Sequence, residues 1–348
     1  MIRSIALETY LSGWATAIAG RRPIAQTISA IAGAAIKISE LVSLGRLAGE
    51  IGASIGVATH GDEQKELDLQ ANDILLEALL AAPVAAVASE ELEQPVVFDE
   101  TASLVVALDP LDGSSNIETN VSIGTIFSVL PVPASHQGNV AHAFLQPGTA
   151  QCAAGYVIYG PQTSLVFTVG KGTIVFILDR RNGCFCLANK SIQIPQETSE
   201  YAINASNYRH WSSSIKAYFD DCNAGRDGPR GLDFNTRWIA SLIAECHRIL
   251  MRGGVFLYPS DARHGYENGR LRLIYEANPI AMLIQQSGGK AIDGQSPILS
   301  LTPHTLHQRT PLMFGSAGEI DRILQYKADP NALHERSPLF GRRGLLKG

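Results

Sequence analysis

The sequence is short of the features that mark secreted, membrane or nucleic-acid-binding proteins. Cysteine is scarce: Cys152, Cys184, Cys186, Cys222 and Cys246 form an odd set in 348 residues, none of them at zinc spacing. A disulfide framework is therefore not expected, and reduced thiols in a cytoplasm are. Cys184-Phe-Cys186 has the spacing that puts both thiols on one strand face, where core filling is their expected role. A charge excess is lacking too, since 28 basic against 33 acidic residues leave a net charge of −5. That balance gives no footprint for nucleic acid or for an anionic membrane, so neither is expected as a partner. No apolar run stands out at the roughly 18 residues of a spanning helix. Arg3 and the Ala-rich stretch after it faintly resemble an export signal, but Glu8, Thr9 and Ser12 interrupt the hydrophobic region such a signal needs. Repeats and low-complexity tracts are absent. What remains is an ordinary globular composition, 45% hydrophobic and 18% charged, long enough for two domains or one large layered one.

Apolar residues at Ile24, Ile28, Ile31, Ala35, Ile38 and Leu41 recur at three- and four-residue intervals, which predicts a helix with one buried face. Gly45 to Gly61 reads as a mobile loop, and the segment Gly61 to Asp68 leads into a helix ending near Leu80. Val84–Ala88 is a short β-like run. Beyond Asn116, strands are predicted at Thr125–Leu130, Ala153–Tyr159, Leu165–Val169, Thr173–Leu178, Cys184–Ala188 and Ile192–Ile194, in one mixed or antiparallel sheet. Pro195-Gln-Glu-Thr-Ser199 breaks the pattern and marks a domain boundary. The second half alternates. It reads as strand Tyr201–Asn204, a helix near Ser213–Asp221, a long helix Phe234–Arg252, strands Val255–Tyr258 and Leu271–Tyr275, helix Pro279–Ser287 and strand Leu312–Phe314. The tail from Asp329, with Arg336, Arg342, Arg343 and Lys347, reads as a solvated extension.

The densest chemistry lies in Leu104–Val129. Leu104 to Leu108 deliver Asp109 at a strand end, Pro110 fixes the backbone angle, and Asp112 follows. Gly113, Ser114, Ser115 and Asn116 come next, small residues that let a backbone approach an anion and hydrogen-bond its oxygens. An acidic turn would use the same residue types. The pattern of apolar strand and then acids recurs, however, at Val84–Glu91 and at Leu271–Glu276. Pooled, Glu90, Glu91, Asp109, Asp112 and Glu276 are more carboxylates than a surface turn has reason to gather, and a hard divalent cation would relieve their repulsion. Asp62 and Asp68, taken alone, read as helix-start acids. For the far end of a phosphorylated substrate the sequence offers Asn204, Ser206, Asn207 and Tyr208 after a strand, and Tyr258 at a strand end. It also offers Arg270 and Arg272, expected on one sheet face, and Arg237 at the start of the long helix.

Leu108 to Phe127 resembles the signature of class I fructose-1,6-bisphosphatases, and Asp109-Pro-Leu-Asp-Gly113 is similar to what the wider inositol monophosphatase-like superfamily carries. The resemblance runs from about Gly61 to Tyr326. It implies an α/β (α+β) fold, a five-layered α-β-α-β-α sandwich of two domains, 1–195 and 196–330, with 331–348 as an extension. It also implies Mg²⁺-dependent hydrolysis of the 1-phosphate of fructose 1,6-bisphosphate, using two or three ions, with Mn²⁺ as the alternative metal. Its metal ligands would be Glu90, Glu91, Asp109, Asp112, Glu276 and the carbonyl of Leu111. Asp68 with Glu91 would activate the attacking water, and Asp62 would share Asp68's mobile loop. Asp112, Gly113, Ser114 and Ser115 would meet the 1-phosphate. Asn204, Asn207, Tyr208, Tyr258, Arg270 and Arg272 would hold the sugar and its 6-phosphate, and Arg237 would reach the neighbouring subunit of a homotetramer.

Three departures from the family pattern stand out. Arg270 replaces the usual lysine, which alters reach and fork geometry. Asn207-Tyr208 replaces the usual Gly-Tyr order. Ser103, Leu104 and Pro131 stand where animal members hold AMP, so AMP inhibition is expected to be absent or to take another form. The Ser206-to-Trp211 cluster and the Arg-rich tail resemble the proteobacterial, Calvin-cycle-linked type, some of which also hydrolyse sedoheptulose 1,7-bisphosphate. An inositol monophosphatase type would keep the acids without needing Arg237, Arg270 and Arg272. A non-catalytic sugar-phosphate sensor would be expected to lose metal ligands, and a purely structural oligomer would leave the acids unexplained.

Overall fold

The computed structural model describes residues 5–48, 54–57 and 63–329. Most of the Gly45 to Gly61 loop, Asp62, and the tail beyond Asp329 lie outside the described residues. Seven α-helices are present among those described: α1 (Leu7–Thr16), α2 (Arg21–Leu44), α3 (Glu66–Leu80), α4 (Ser213–Asn223), α5 (Leu242–Arg252), α6 (Asn278–Gln286) and α7 (Ala317–Ala328).

Near-continuous apolar runs, buried on both faces, build the first sheet, which has eight strands. Across the sheet they run Cys184–Asn189, Thr173–Asp179, Thr163–Thr168, Ala153–Tyr159, Ile123–Pro131, Leu104–Asp112, Ala86–Ser89 and Val96–Val97. All pair antiparallel except Ala86–Ser89 with Leu104–Asp112, which are parallel. Val106, Leu108, Phe127 and Phe167 face a core shared with α1, α2 and α3, while Val105 and Ala107 face the other side, beside Phe144 and Ile274. The second sheet runs Asn235–Thr236, Glu200–Ile203, Val255–Tyr258, Leu312–Gly315, Lys290–Ile292.

Two further cores stack the remaining layers. In the first, Ile126, Tyr156 and Val166 of the eight-stranded sheet meet Cys246 and Ile249 of α5, Leu283 and Ile284 of α6, and Phe256 and Phe314 of the second sheet. On the far face of that sheet, Tyr201, Leu257 and Met313 pack on Ile215 and Tyr218 of α4 and Ile320 and Tyr326 of α7. The order is thus helix, sheet, helix, sheet, helix, the five-layered architecture expected from the resemblance.

Several local expectations need correction. The helix α2 is, by length and composition, long and apolar enough to cross a membrane. Its face of Ile28, Ile31, Ala35 and Ile38 is instead buried against the first sheet, as a core helix requires. Ile192–Ile194 forms no strand; both isoleucines fill the middle core. Cys184 and Cys186 do share a strand face, but it is only half-buried, and their Sγ atoms lie 3.9 Å apart. All five cysteines are free thiols.

One glycine joins the layers at the place where function is sought. Gly124 pairs with Asp112, and a Cβ there would stand 2.3 Å from the Val157 carbonyl oxygen and 2.9 Å from Ile243 Cγ2 of α5. Gly124→Ala should therefore destabilise the protein by roughly 2–3 kcal/mol through overpacking. Thermal unfolding checks this, and an unchanged midpoint would show that α5 can withdraw without cost.

Candidate metal and phosphate site

Two strand ends and one turn of π-helix bring the acids together. The parallel register Ser89↔Leu108 sets Glu90 beside Asp109, and the Glu90 amide donates to the Leu108 carbonyl at 3.0 Å. Between Asp109 and Asp112 the pairing with Ile123–Pro131 slips, the mark of a bulge that re-aims side chains. That slip is pinned on both sides: Asp109 Oδ1 accepts the Leu111 amide at 3.0 Å, and the Thr125 hydroxyl donates to the Pro110 carbonyl at 2.8 Å. Asp112 Oδ2 accepts the Ile243 amide at 3.0 Å. It thereby sits at the N-terminus of α5, where exposed N–H groups favour an anion.

Glu276 arrives differently from the sequence expectation. The strand is only Leu271–Arg272, and Leu273–Ala277 is a turn of π-helix. That turn buries Glu276 and lets the Arg272 amide donate to its carboxylate. As a result, Asp109, Asp112 and Glu276 bring carboxylate oxygens within 4.8 Å of one another, all three buried.

The electrostatics tie in the other acids. Burial first, then Glu90, Asp112, Glu276 and Glu91, pushes Asp109 well above the usual carboxylate range. Burial, then Glu90 and Asp112, raises Glu276 well above its usual value, against the Arg272 amide and guanidinium. Asp112 is pushed up to about 7 by burial, with the Ile243 amide opposing and Glu90 adding to the rise. Asp68 is also pushed up to about 7, by burial first; the Lys65 amide opposes, Glu91 adds, the Ser114 hydroxyl opposes and Glu90 adds. At the start of α3 this same carboxylate accepts the Lys65 amide at 2.9 Å. Asp68 thus sits in the first turn of α3 and also stands in the field of Glu91 and Glu90. Arg272 is the nearby counter-charge, its Nη2 lying 3.5 Å from Glu90 Oε1. An all-oxygen, strongly acidic and buried donor set fits a hard divalent cation such as Mg²⁺ or Mn²⁺.

The small residues that follow form a cradle beside these acids. Gly113 takes a positive φ of 80°, which only glycine adopts freely, and Ser114–Thr119 is a short 3₁₀ helix. Ser114 faces Asp68, whereas Ser115 is exposed. Asn116 Nδ2 donates to the Ala240 carbonyl at 2.8 Å, stitching the turn to the second half. Ala240 itself holds φ at 63°, an uncommon conformation for a residue with a side chain.

The residues foreseen for a distal phosphate split into groups. Asn204 accepts the Ser206 amide at 3.2 Å, and the Asn207 amide donates to the Asn204 carbonyl at 3.0 Å. The Tyr208 hydroxyl donates to Asp220 of α4 at 3.0 Å, and its ring packs on Trp211 and Phe219. Tyr258 stacks on Phe256 and Trp238. Its hydroxyl is raised by burial, with Arg270 opposing, which puts Arg270 in its field. Arg272 Nη2 lies 3.5 Å from Glu90 Oε1, and Arg270 Nη1 meets the Tyr266 hydroxyl at 2.5 Å. Arg237 does not begin a helix. The long helix foreseen from Phe234 starts only at Leu242, capped by Ser241, whose hydroxyl accepts the Ala244 amide at 3.3 Å. Arg237 follows the short strand Asn235–Thr236, half-exposed, 3.5 Å from Glu200 Oε1.

Ala240, Trp238 and Tyr266 carry no functional signal in the sequence, and Ile243 reads there only as part of the apolar face of the long helix. Ser241 ahead of an apolar run is a helix-start signal that would have placed α5 and, with it, the amide reaching Asp112.

Family models described as the N-terminal and C-terminal domains of fructose-1,6-bisphosphatase match residues 15–190 and 194–328. The chain is 53% identical over 343 residues to a protein from Sinorhizobium medicae named fructose-1,6-bisphosphatase class 1, covering 98% of each. It is 56% identical over 327 residues to one of the same name from Rhizobium meliloti, covering 94% of each. Among solved structures it is similar to Leishmania major fructose-1,6-bisphosphatase in holo form, with a TM-score of 0.87 at 34% identity, covering 93% of this chain and 99% of that one.

Proposed function

Because this chain belongs to the class 1 fructose-1,6-bisphosphatase family, we propose that it hydrolyses the 1-phosphate of fructose 1,6-bisphosphate to fructose 6-phosphate and phosphate. The observation that carries this reading is the meeting of Asp109, Asp112 and Glu276 within 4.8 Å, in the field of Glu90, Glu91 and Asp68 and beside the Gly113–Ser114 turn. Glu90, Glu91, Asp109, Asp112, Glu276 and the Leu111 carbonyl hold Mg²⁺, two or three ions, or Mn²⁺ in its place. Bound there, such ions neutralise phosphoryl charge and make water more acidic.

The chain's own groups do the rest. The Gly113 and Ser114 amides and the Ser114 and Ser115 hydroxyls orient the 1-phosphate for in-line attack. Asp68, raised to about 7, takes the water proton together with Glu91 near neutral pH. The oxygen–phosphorus bond to water forms as the bond from phosphorus to the sugar oxygen breaks; the sugar oxygen leaves with the electron pair of that bond and takes a proton from solvent to become the 1-hydroxyl. Asn204, Asn207 or Tyr208, Tyr258, Arg270 and Arg272 hold the sugar and 6-phosphate, and Arg237 reaches a partner's 6-phosphate in a homotetramer. Asp62 assists Asp68. Sedoheptulose 1,7-bisphosphate is a second substrate in this reading, and the cytoplasm the place of action. The chain divides into domains at 1–195 and 196–330, with 331–348 an extension, so that the site lies at their junction.

Phosphate release from a panel of sugar bisphosphates and inositol phosphates, with Mg²⁺ and with chelator, tests the proposal. Turnover of fructose 1,6-bisphosphate that is lost in chelator and restored by Mg²⁺ is expected. A preference for inositol monophosphate, or turnover unaffected by chelator, would overturn it.

A further inference from the structure

Arg270 is the clearest departure from the family pattern, and the structure shows what accompanies it. Its Nη1 is 2.5 Å from the Tyr266 hydroxyl, and its guanidinium lies 4.8 Å over the Tyr266 ring. A second guanidinium, Arg263, lies 4.0 Å over the same ring. Arg263 is tied to Asp261 through both Nε and Nη2, so its charge is largely matched locally, and it serves as a flat support for the ring. Arginine stacks on aromatic faces through its delocalised plane, which lysine lacks.

The loop carrying Tyr266 is itself anchored. The Asp261 amide donates to the Tyr266 carbonyl at 3.2 Å, the Tyr266 amide to the Arg263 carbonyl at 3.0 Å, and the Gly269 amide to the Tyr266 carbonyl at 3.0 Å. Gly269, with φ at 76° and no room for a Cβ beside Thr310 and Pro311, then turns the chain into Leu271–Arg272. The Ala262 amide donates to the His210 carbonyl at 3.2 Å, linking this loop to the segment that follows Asn204. A half-buried tyrosine held this firmly restricts the swing of a long side chain whose fork must be aimed to be useful.

We propose that Tyr266 is a positioning residue for Arg270, fixing the guanidinium's reach and plane for the substrate's distal phosphate, and that the Arg263–Tyr266–Arg270 stack accompanies arginine in place of lysine there. This rests on the assignment of Arg270 to the distal phosphate given above. Without the hydroxyl the fork keeps its charge but loses its aim, so binding weakens while the reacting end is untouched.

Steady-state kinetics of the full-length protein with fructose 1,6-bisphosphate and saturating Mg²⁺ test this in four variants. Tyr266→Phe should raise KM about tenfold or more with kcat within about twofold, the scale of one hydrogen bond to a charged group. Arg270→Lys should make that substitution nearly silent, changing KM by less than about twofold, because an ammonium needs no fixed plane. An equal effect of Tyr266→Phe in both backgrounds would assign Tyr266 to holding the loop and overturn the proposal. So would an unchanged KM in Tyr266→Phe when Arg270→Ala raises it strongly, in which case the distal-phosphate assignment survives. An unchanged KM in Arg270→Ala removes the assignment and the positioning role together.

Discussion

Replacing Asp112 by alanine is expected to lower kcat/KM for fructose 1,6-bisphosphate by roughly 10³-fold or more, the scale of losing a principal electrostatic group, and to weaken Mg²⁺ binding in the same protein. The carboxylate performs two tasks. Oδ2 accepts the Ile243 amide at the start of α5, while the side chain also stands within 4.8 Å of Asp109 and Glu276. Asp112→Asn separates the tasks, because the amide oxygen can still accept from Ile243 but brings no charge to a cation. Both variants should be nearly inactive, with Mg²⁺ affinity reduced in calorimetric titration. Only the alanine should also lose the hydrogen bond from the Ile243 amide, worth about 1 kcal/mol. Removing one of several crowded acids relieves repulsion, so the asparagine protein in chelator should melt no lower than the wild type at pH 8, which guards against reading misfolding as lost chemistry. Substantial turnover in either variant would refute the assignment of Asp112 as a ligand.

The acids of the site were legible because each ends an apolar run that local patterning identifies. Val84–Ala88 and Leu104–Leu108 are continuous apolar runs of the kind a strand buried on both faces needs, and the structure places strands at Ala86–Ser89 and Leu104–Asp112. Legibility failed where the backbone departs from a single period. Trp238 and Ile239 continue the apolar spacing of α5, so the pattern reads as one helix from Phe234; the positive φ of Ala240 and the cap at Ser241 break it. Leu271, Leu273 and Tyr275 alternate like a strand, yet all but the first two residues wind into the π-turn that buries Glu276. The bonds that close the site join residues 131 and 124 positions apart, Ile243 to Asp112 and Asn116 to Ala240. No local window contains both partners. Tyr266 escaped notice for a related reason: nothing in a Gly-rich loop announces that its ring will meet two arginines.

The second large effect concerns stability rather than rate. The chelator-treated protein is expected to melt at progressively lower temperature as pH rises from about 5 to 8, and Mg²⁺ is expected to abolish that decline. Burial raises Asp68 and Asp112 each to about 7, and Asp109 and Glu276 well above their usual range. Between the unfolded carboxylate value near 4 and these raised values, the folded chain keeps protons that the unfolded chain has released. Stability then falls with rising pH, since the native state binds more protons than the unfolded one. The contribution is fully present below about 4 and is lost as pH passes through about 7. A shift of this size is worth on the order of 3–4 kcal/mol per carboxyl before the acids' coupling is counted. At about 2–4 °C per kcal/mol for larger domains, a decline of at least roughly 5 °C should be measurable. Mg²⁺ holds the ionised forms and releases their protons, so its stabilising shift should grow with pH, reaching about 3 kcal/mol at a hundredfold excess over Kd. Asp112→Asn tests the cause directly: removing one raised carboxyl should flatten the slope in chelator. A midpoint that stays level or rises between pH 5 and 8 without metal, with a Mg²⁺ shift independent of pH, would mean that these carboxylates do not share one buried cluster.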